Sequence, residues 1–371
     1  MRRLMGLLLL IAGLLVNGPR SDAARAPTGS LSAVTCTSSS SCLAVGYSAV
    51  GLLEDVRPHV EHWSGAKWTV MASPNVSGGV LRGVACASPS NCMTVGSYSP
   101  GLEIDGLPLI EHWNGTKWSI VPGPMPVGTH ALYYLSGVAC PSASSCMAVG
   151  TLEAAHNNST LIDHWTGSRW VSMKSPNANY RGYAIDHLES VACPNVSSCI
   201  AVGYSVYGTL IEHWNGLKWS IVSSPNPSGP GELLGVACPR ASRCTAVGYS
   251  AQGTLVEDWN RSKWSIVRSS KAPRLLGLDG VACASLSDCT AVGDNELGTG
   301  VIIERWNGAT WSTVPSPTAD LPGSTGAYLD DVACMTASSC TAVGAWGENS
   351  FAIPLVEHWN GSKWSVVPSP D

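Results

Sequence analysis

The sequence has few charged residues, no C-x-x-C pair and, beyond residue 16, no long apolar run. Charged residues make up 13% of the 371-residue chain, and its 21 Lys and Arg residues are scattered along the sequence. Proteins that bind nucleic acid carry basic faces, so this distribution argues against a nucleic-acid partner. A membrane helix needs about 20 consecutive apolar residues, so we also expect no membrane span.

The fourteen cysteines lack the spacings of redox and zinc sites. A redox pair is normally C-x-x-C, and structural zinc commonly uses cysteines about two to four residues apart. Each cysteine pair here is separated by five residues, so we predict no metal and no cofactor. An even number of cysteines at regular spacing predicts disulfides instead. The predicted disulfides are Cys36/Cys42, Cys86/Cys92, Cys140/Cys146, Cys193/Cys199, Cys238/Cys244, Cys283/Cys289 and Cys334/Cys340.

A second motif follows each cysteine pair and contains two tryptophans five positions apart, as in Glu-His-Trp-Asn-Gly-Thr-Lys-Trp at 111–118. The pairs are Trp63/Trp68, Trp113/Trp118, Trp165/Trp170, Trp214/Trp219, Trp259/Trp264, Trp306/Trp311 and Trp359/Trp364, and only Trp346 lies outside this pattern. The chain therefore consists of seven copies of one unit of about 45–54 residues. Repeats of this length are typical of propellers, solenoids and arrays.

Each unit contains four short runs of strand-forming residues, bounded by Gly, Pro, Ser or Asn. In the fourth unit, Asn215-Gly216 between the last two runs favours a tight hairpin. Each unit is therefore predicted to be an antiparallel meander of strands A, B, C and D. Seven meanders arranged radially form an all-β, seven-bladed propeller with one C-x5-C disulfide per blade, which closes the turn between strands A and B.

A β-solenoid is the alternative architecture, although its repeats are usually shorter and its strands parallel. The sequence leaves open which strand is innermost and how the ring closes. The predicted blades cover approximately 31–75, 81–125, 135–177, 188–226, 233–271, 278–318 and 329–371.

The N-terminus has the pattern of a secretory signal peptide. Arg2 and Arg3 precede an apolar run from Leu4 to Val16, and the Ala-Arg-Ala sequence at 24–26 offers a cleavage site. We therefore predict a signal peptide over 1–26 and a propeller over 27–371, with an uncleaved anchor as the alternative. Export agrees with the cysteines, because disulfides persist in oxidising compartments. The predicted location is extracellular.

The connections between strands differ in how much they vary among the repeats. The two cysteines and the two tryptophans keep fixed intervals, whereas the B–C and D–A connections change in length. In a meander, the A–B and C–D turns emerge on one face, which we call the stapled face, and the B–C and D–A connections emerge on the other, the loop face. Because binding residues concentrate on loops held by a rigid scaffold, the site is predicted on the loop face.

The repeated Glu-His pairs are interpreted as structural rather than as acid/base groups, because one reaction needs one site. In a two-residue hairpin, the residue before the first tryptophan would face the residue before the second. This predicts cross-strand pairs His62/Lys67, His112/Lys117, His164/Arg169, His213/Lys218, Asp258/Lys263 and His358/Lys363. The glycosylation-type sequences at Asn75, Asn114, Asn195, Asn260 and Asn360 are discounted, since several coincide with the turn.

The residues that differ among repeats on the loop face are the candidate ligand-binding residues. Aromatic rings with a few polar groups suit a sugar or a protein epitope. The predicted site residues are Tyr133, Tyr134, Tyr180, Arg181, Tyr183, Asp186, His187 and Trp346. Further candidates are Asp55, Arg57, His59, Asp105, His156 and Glu348. Packing of the tyrosines over the blade ends is the alternative interpretation.

The repeat resembles those of the bacterial-neuraminidase-repeat (Asp-box) propeller superfamily, which includes sialidases, sortilin-type receptors and photosystem-assembly propellers. The resemblance covers all seven units and depends on the small apolar strand pair, the Ala-Val-Gly end of strand B and a Gly-x-x-Trp turn such as Gly115 to Trp118. It implies a propeller. It does not imply sialidase chemistry, because Trp113 stands where the Asp-box has its aspartate, and no arginine triad can be placed.

Three functions remain open from the sequence, and we favour the first over catalysis. The first is a secreted, non-catalytic binding propeller, expected to be monomeric, that recognises a glycan or a surface protein through the loop face. The second is an extracellular polysaccharide hydrolase or lyase, which would need two carboxylates at the channel mouth about 5–9 Å apart. The carboxylates available for it are Asp55, Asp105, Asp186 and Glu348. The third is a structural surface protein that packs through the stapled face.

Overall fold

A computed structural model describes residues 28–50, 55–99, 101, 106–125, 131–154, 157–177, 185–227, 229, 231–269, 276–295, 300–321, 324–348 and 351–370. Four strands of each repeat pair in sequence order into an antiparallel sheet, and seven such sheets form a seven-bladed β-propeller. The predicted fold class is confirmed. The predicted signal peptide and the uncleaved-anchor alternative lie outside the described residues.

The strand bounds follow the repeat closely. Blade 1 comprises β1 (Thr28–Ser38), β2 (Ser41–Val50), β3 (Asp55–Trp63) and β4 (Trp68–Val70); blade 2, β5 (Gly79–Ser88), β6 (Asn91–Tyr98), β7 (Leu107–Trp113) and β8 (Trp118–Ile120); blade 3, β9 (Leu132–Ser142), β10 (Ser145–Ala154), β11 (Asn157–Trp165) and β12 (Trp170–Ser172); blade 4, β13 (His187–Asn195), β14 (Ser198–Ser205), β15 (Gly208–Trp214) and β16 (Trp219–Ile221). Blade 5 comprises β17 (Gly231–Arg240), β18 (Arg243–Ser250), β19 (Gly253–Trp259) and β20 (Trp264–Ile266); blade 6, β21 (Gly280–Ser285), β22 (Asp288–Asp294), β23 (Val301–Trp306) and β24 (Trp311–Thr313); blade 7, β25 (Ser324–Thr336), β26 (Ser339–Glu348), β27 (Phe351–Trp359) and β28 (Trp364–Val366). A 3-10 helix, Pro317–Asp320, lies between blades 6 and 7.

Strand A is innermost, and the A strands of neighbouring blades contact each other around the whole ring. The ring closes without strand exchange, because each sheet contains four consecutive strands. At the closure, the Val34 backbone N–H donates to Asp331 Oδ2 over 2.9 Å, and Ser369 Oγ donates to Glu61 Oε1 over 2.6 Å. The structure thus resolves both points that the sequence left open.

The glycine of the repeated Val-Gly is required by a close backbone approach. A register shift in strand A occurs at the same place in six blades, between Leu31 and Ala33 in the first. This β-bulge directs a carbonyl towards strand B, and a Cβ on Gly46 would lie 1.9 Å from the Ser30 carbonyl oxygen. Any side chain at this position would collide with backbone, which explains why the glycine recurs in every repeat.

Each disulfide joins two directly opposed residues of strands A and B. Cys36 pairs with Cys42 in the ladder, and the Cα–Cα distances of all seven bridges are 4.0–4.1 Å. Facing residues of an antiparallel pair that do not exchange hydrogen bonds lie about 4.5 Å apart, so the bridge fits the ladder with little movement. All fourteen cysteines are paired, which confirms the predicted framework.

The bridges close the A–B turns as predicted, and the structure adds that half of the cysteines lie in the core. The second cysteine of each pair begins strand B, is at most 4% exposed and packs in the hydrophobic layer between blades. These buried cysteines are Cys42, Cys92, Cys146, Cys199, Cys244, Cys289 and Cys340. The physical reason is that disulfide sulfur is apolar and the side chain points towards the neighbouring blade. They are therefore packing residues that no ligand can reach.

The predicted cross-strand pairs of His or Asp with Lys or Arg are wrong in all six units: His62/Lys67, His112/Lys117, His164/Arg169, His213/Lys218, Asp258/Lys263 and His358/Lys363. The C–D hairpin has a four-residue turn rather than a two-residue turn, in which the backbone N–H of the first turn residue donates to the carbonyl of the fourth, as Asn114 does to Lys117. Where the first residue is asparagine, its side chain also accepts hydrogen bonds from two backbone amides, as Asn114 does from Thr116 and Lys117. The two tryptophans therefore face each other, with ring centroids 5.7–5.9 Å apart. His62 lies opposite Thr69, and Lys67 stays exposed in the turn.

The hydrophobic core lies between adjacent blades. Each of its seven clusters combines residues of two neighbours, as where Val45 of blade 1 and Leu81 and Trp118 of blade 2 pack together. No blade buries both faces of its sheet alone, so stability depends on the complete ring.

The acidic residue of each Glu-His-Trp motif is buried between blades. A serine that follows strand D of the preceding blade donates a hydrogen bond to the glutamate at six of the seven junctions. These pairs are Ser73/Glu111, Ser175/Glu212, Ser224/Glu257, Ser269/Glu304, Ser316/Glu357 and Ser369/Glu61. At the junction of blades 2 and 3, Gly123 replaces the serine and Asp163 replaces the glutamate. These acids hold the blades together.

Candidate functional site

The predicted site residues do not form one cluster. Trp346 lies in β26 of blade 7 and packs against the core between blades 6 and 7, across the ring from blades 3 and 4. Tyr133 is 3% exposed and Asp186 is fully buried, so both side chains pack inside the blade ends. Six other predicted residues lie outside the described residues or side chains: Tyr180, Arg181, Tyr183, His156, Asp105 and Glu348.

The further candidates on blade 1 form a separate group. The Arg57 guanidinium donates to Asp55, and Ser77 Oγ donates to the same carboxylate. These contacts lower the pKa of Asp55, the Ser77 hydrogen bond most of all. His59 Nε2 lies 2.9 Å from Glu61 Oε1 in the junction with blade 7. Asp55 of this group and the buried Asp186 belong to different parts of the ring.

His187 begins β13 of blade 4, and its imidazole ring is held in place by contacts on both nitrogens and on one face. Its Nδ1 lies 3.1 Å from Thr151 Oγ1, and its Nε2 lies 3.2 Å from Asn158 Nδ2, so both ring nitrogens have partners on blade 3. The imidazole stacks on Tyr204, with centroids 4.6 Å apart and planes 12° from parallel. Burial lowers the pKa of His187 to about 4, so the ring is neutral at physiological pH. Tyr134 of blade 3 lies near Gly106 of blade 2 instead.

A cleft on the loop face opens beside Tyr204, the residue on which His187 stacks. Its volume is about 240 Å³. It lies between the B–C turn of blade 4 and the connection that enters blade 5. The cleft is lined by Tyr204, Ser205, Val206, Tyr207, Gly208, Gly229, Gly231 and Glu232. Tyr207 is 56% exposed at the rim, which makes it the most exposed aromatic side chain among the described residues.

Three glutamates from three successive blades act electrostatically on Tyr204, and one of them, Glu232, lines the cleft with it. Glu153 comes from the end of β10, Glu189 from the bulge of β13 and Glu232 from the start of β17. Burial and the negative charges of these glutamates raise the pKa of the Tyr204 phenol. Burial also raises the pKa of Glu153. No ion pair joins any of the three to a described Lys or Arg residue, so the site is acidic and lacks a counter-cation among those residues.

Sequence reasoning missed Tyr204, Glu189 and Glu232 because it searched only the loops. These residues belong to strands A and B, inside motifs that otherwise repeat. The residue after Val-Gly is Tyr47, Ser97, Thr151, Tyr204, Tyr249, Asp294 or Ala345. The residue at the strand A bulge position is Ser32, Arg82, Ser136, Glu189, Leu234, Asp279 or Asp330. A position-by-position comparison of the repeats would have shown this variation.

The bulge residues line the central channel. Each is partly exposed, although the leucine before it is fully buried, as with Glu189 and Leu188. Strand A has a paired strand on one edge only, so solvent reaches these side chains from the axis.

The described residues contain no group of three His, Cys, Asp or Glu side chains that could hold a metal ion. In the same part of the chain, no helix is long and apolar enough to cross a membrane.

No protein-family model matches the chain, and no curated protein matches it in sequence. Solved propeller structures do match. YCF48 from Cyanidioschyzon merolae is 13% identical with a TM-score of 0.56, covering 91% of this chain and 97% of that one. YCF48 bound to D1 peptide is 12% identical with a TM-score of 0.55, covering 93% and 95%. Chaetomium thermophilum Sqt1 bound to the N-terminus of the ribosomal protein L10 is 11% identical with a TM-score of 0.53, covering 90% and 86%.

At these identities the likenesses show the propeller fold alone. The resemblance to the Asp-box superfamily stays a prediction.

Proposed function

We propose that this chain is a secreted, non-catalytic binding propeller that recognises a protein segment through a cationic side chain. The segment would dock on the loop face, in the cleft between blades 4 and 5. The observation that carries the proposal is the presence of Tyr204 and Glu232 in the wall of the cleft, where Glu232 has no ion pair to a described cation. The negative charges of Glu153 and Glu189 act on the same tyrosine. A lysine or arginine from a partner would supply the missing charge.

The chemistry of the cleft suits such a side chain. Aromatic faces attract cations, and carboxylates accept charge-assisted hydrogen bonds from ammonium or guanidinium groups. Tyr204 is held by its stack on His187, so the aromatic surface of the cleft is formed before the ligand arrives. Tyr207 at the rim can cover the aliphatic part of the entering side chain.

The size of the cleft favours one side chain over a larger ligand. Sites for drug-sized ligands usually measure about 300–1,000 Å³, and this cleft measures about 240 Å³. Two propellers of similar fold hold peptides, YCF48 with the D1 peptide and Sqt1 with the N-terminus of L10. They illustrate that the fold can accommodate a peptide, and the choice of a cationic residue comes from the glutamates.

Secretion is part of the proposal. Seven disulfides within one chain are typical of oxidising compartments, and the N-terminal pattern provides a route of export. Recovery of the chain from the culture medium, with residues 1–26 removed, would test it.

The binding test compares short peptides that carry one Lys, one Arg or a neutral Gln at the same position. We expect the Lys or Arg peptide to bind the full chain at least tenfold more tightly than the Gln peptide. Glu232→Gln should remove most of this preference. Gln252→Ala is the control for a change outside the cleft, because Gln252 lies in the B–C turn of blade 5, at the position that Tyr207 occupies in blade 4. A neutral glycan that binds equally well to the wild type and to Glu232→Gln would contradict the proposal.

A further inference from the structure

The stapled face concentrates the positive charge of a chain that is acidic as a whole. Its fourteen turns, counted from cysteine to cysteine and from tryptophan to tryptophan, contain nine Lys or Arg residues and one Asp. The cations are Lys67, Lys117, Arg169, Lys218, Arg240, Arg243, Arg261, Lys263 and Lys363. These turns carry a net charge of +8 in a chain whose total is −5, so the rest of the chain carries −13.

The cations are scattered in the sequence and gathered by the fold. Six of them occupy the position before the second tryptophan, in six different blades, and all six are exposed. None of these six forms an ion pair with a described residue, since the expected partners lie elsewhere on the strand. The one acid of these turns, Asp288, is paired with Arg305, and Arg243 acts electrostatically on Asp258.

The stapled face is uniform, because the A–B and C–D turns have the same length in every repeat. The two turns of a blade also pack on each other. A Cβ on Gly216 would lie 3.2 Å from Ser197 Cβ, and the same contact recurs in the other blades whose C–D turn has glycine. A flat partner can touch cations on six blades at once, whereas a single flexible polymer chain would contact only a few adjacent turns.

Apolar side chains project from the same face. Leu217 is 87% exposed and stands next to Lys218 in the C–D turn of blade 4, and Val196 in the neighbouring A–B turn is 53% exposed. Leu286 and Met335 are exposed in the A–B turns of blades 6 and 7. An isolated leucine next to lysine suits the headgroup region of a bilayer, where apolar tips and basic groups are stabilised together.

We propose that the stapled face docks on an anionic lipid surface, with the ring of turn cations against the headgroups and Leu217 inserted among them. The seven disulfides would keep these turns in register with one another. The loop face would then point away from the membrane. This proposal is independent of the cleft on the loop face and of what the cleft binds.

The test measures co-sedimentation of the full chain with vesicles of phosphatidylcholine, with and without phosphatidylglycerol. We expect binding only to the anionic vesicles, and weaker binding as salt rises. A basic residue near an anionic surface contributes about a fivefold gain in affinity, so Lys117→Gln/Lys218→Gln should weaken binding about 25-fold. The matched control is Lys174→Gln/Arg268→Gln, which removes the same charge from exposed positions beyond strand D. It should change binding less than twofold.

A second variant distinguishes a membrane from a soluble polyanion. Leu217→Ser should weaken vesicle binding while leaving retention on immobilised heparin unchanged. Equal vesicle binding by the two charge variants would overturn the proposal. Retention on heparin or duplex DNA without any vesicle binding would also overturn it, and would assign the face to a soluble polyanion. All the substituted side chains are exposed, so unchanged thermal unfolding would confirm that the variants fold.

Discussion

Two kinds of blade junction occur in this propeller. At six junctions, a serine of one blade donates to a buried glutamate of the next, as Ser175 Oγ does to both oxygens of Glu212 over 3.0–3.1 Å. At the junction of blades 2 and 3, the serine position is Gly123. The acid there is Asp163, which accepts instead from Ser172 of its own blade over 2.8 Å.

The difference shows what the fold requires at this position. A buried carboxyl group needs a hydrogen-bond partner, and the fold accepts a partner on either side of the junction. Where the donor of the preceding blade is missing, the acid is one methylene shorter and accepts its hydrogen bond within its own sheet, through one carboxylate oxygen. The requirement is at least one hydrogen bond to the acid, and the serine–glutamate bond between blades, which we call the clasp, is one of two ways to meet it.

The largest expected effect is a loss of stability as pH rises, led by the junction of blades 3 and 4. Burial raises the pKa of Glu212 from 4.5 to about 8, and that of Asp163 from 3.8 to about 6. Because the folded state holds the proton more tightly, the contribution of Glu212 is fully present below pH 4.5 and is lost as pH rises to about 8. This loss is on the order of 4 kcal/mol for Glu212.

Urea unfolding at about pH 5 and pH 8 would check this. We expect Glu212→Gln to flatten the pH dependence substantially, and Asp163→Asn to flatten it less and only below about pH 6. A stability of the wild type that increases between these two pH values would contradict the assigned direction. The pKa of Glu111, Glu257 and Glu357, about 7 in each case, should add to the same trend.

Removal of the acid should separate the two kinds of junction. Glu212→Ala leaves a cavity between blades and leaves the Ser175 hydroxyl with Thr160 as its remaining partner, and we expect a loss of about 3 kcal/mol in the free energy of unfolding. Asp163→Ala affects a bond within one blade and removes a smaller side chain, so its cost should be about half as large. Equal losses in the free energy of unfolding, measured by chemical denaturation, would show that the hydrogen bond between blades stabilises the protein no more than the bond within one blade.

Removal of a disulfide should lower the stability by the same amount in blade 3 and in blade 4. Each bridge closes a short loop inside one blade, so replacing Cys193 and Cys199 by alanine should cost about 2 kcal/mol in the chain-entropy model. The same change at Cys140 and Cys146 in blade 3 should cost the same, because Cys146 and Cys199 are equally buried. The two thermal unfolding midpoints would be compared, and a clear difference between them would mean that the bridges support the contacts between blades unequally.

The smallest effect is expected from installing the missing clasp. Asp163→Glu together with Gly123→Ser reproduces the common pair, and we expect the double variant to exceed the sum of the single variants by about 1 kcal/mol. Gly123→Ser alone should be slightly unfavourable, because its Cβ would lie 3.2 Å from Ile110 Cδ1. A double-mutant cycle measured by urea unfolding gives the coupling, and a value near zero would mean that the two positions do not interact.

The repeats made most of the fold predictable, whereas the site could be predicted only in part. The cysteine and tryptophan intervals identified seven blades, and the fixed intervals identified the stapled face. His187, predicted as a ligand-binding residue, stacks on Tyr204 of the cleft wall, whereas Tyr133 and Asp186 are buried beneath the surface. Exposure at a blade end depends on how neighbouring connections pack, which a single repeat does not encode.

The turn geometry shows a similar limit. The interval between the tryptophans is compatible with a two-residue or a four-residue hairpin turn. Because every blade forms the four-residue turn, the predicted His/Lys contacts are absent and the lysines are exposed. The same shift provides the cations of the stapled face.

The sequence alone determined the number of blades, the seven disulfides and the division of the connections into fixed and variable classes, because repetition makes each of these visible without coordinates. Only the tertiary structure decided that strand A is innermost, that the ring closes by packing through Asp331 and Ser369, and that Tyr204 of one blade and Glu232 of the next line one cleft. Those features depend on contacts between repeats, and residues such as Tyr204 and Glu232 come together only when separate sheets are placed side by side around an axis.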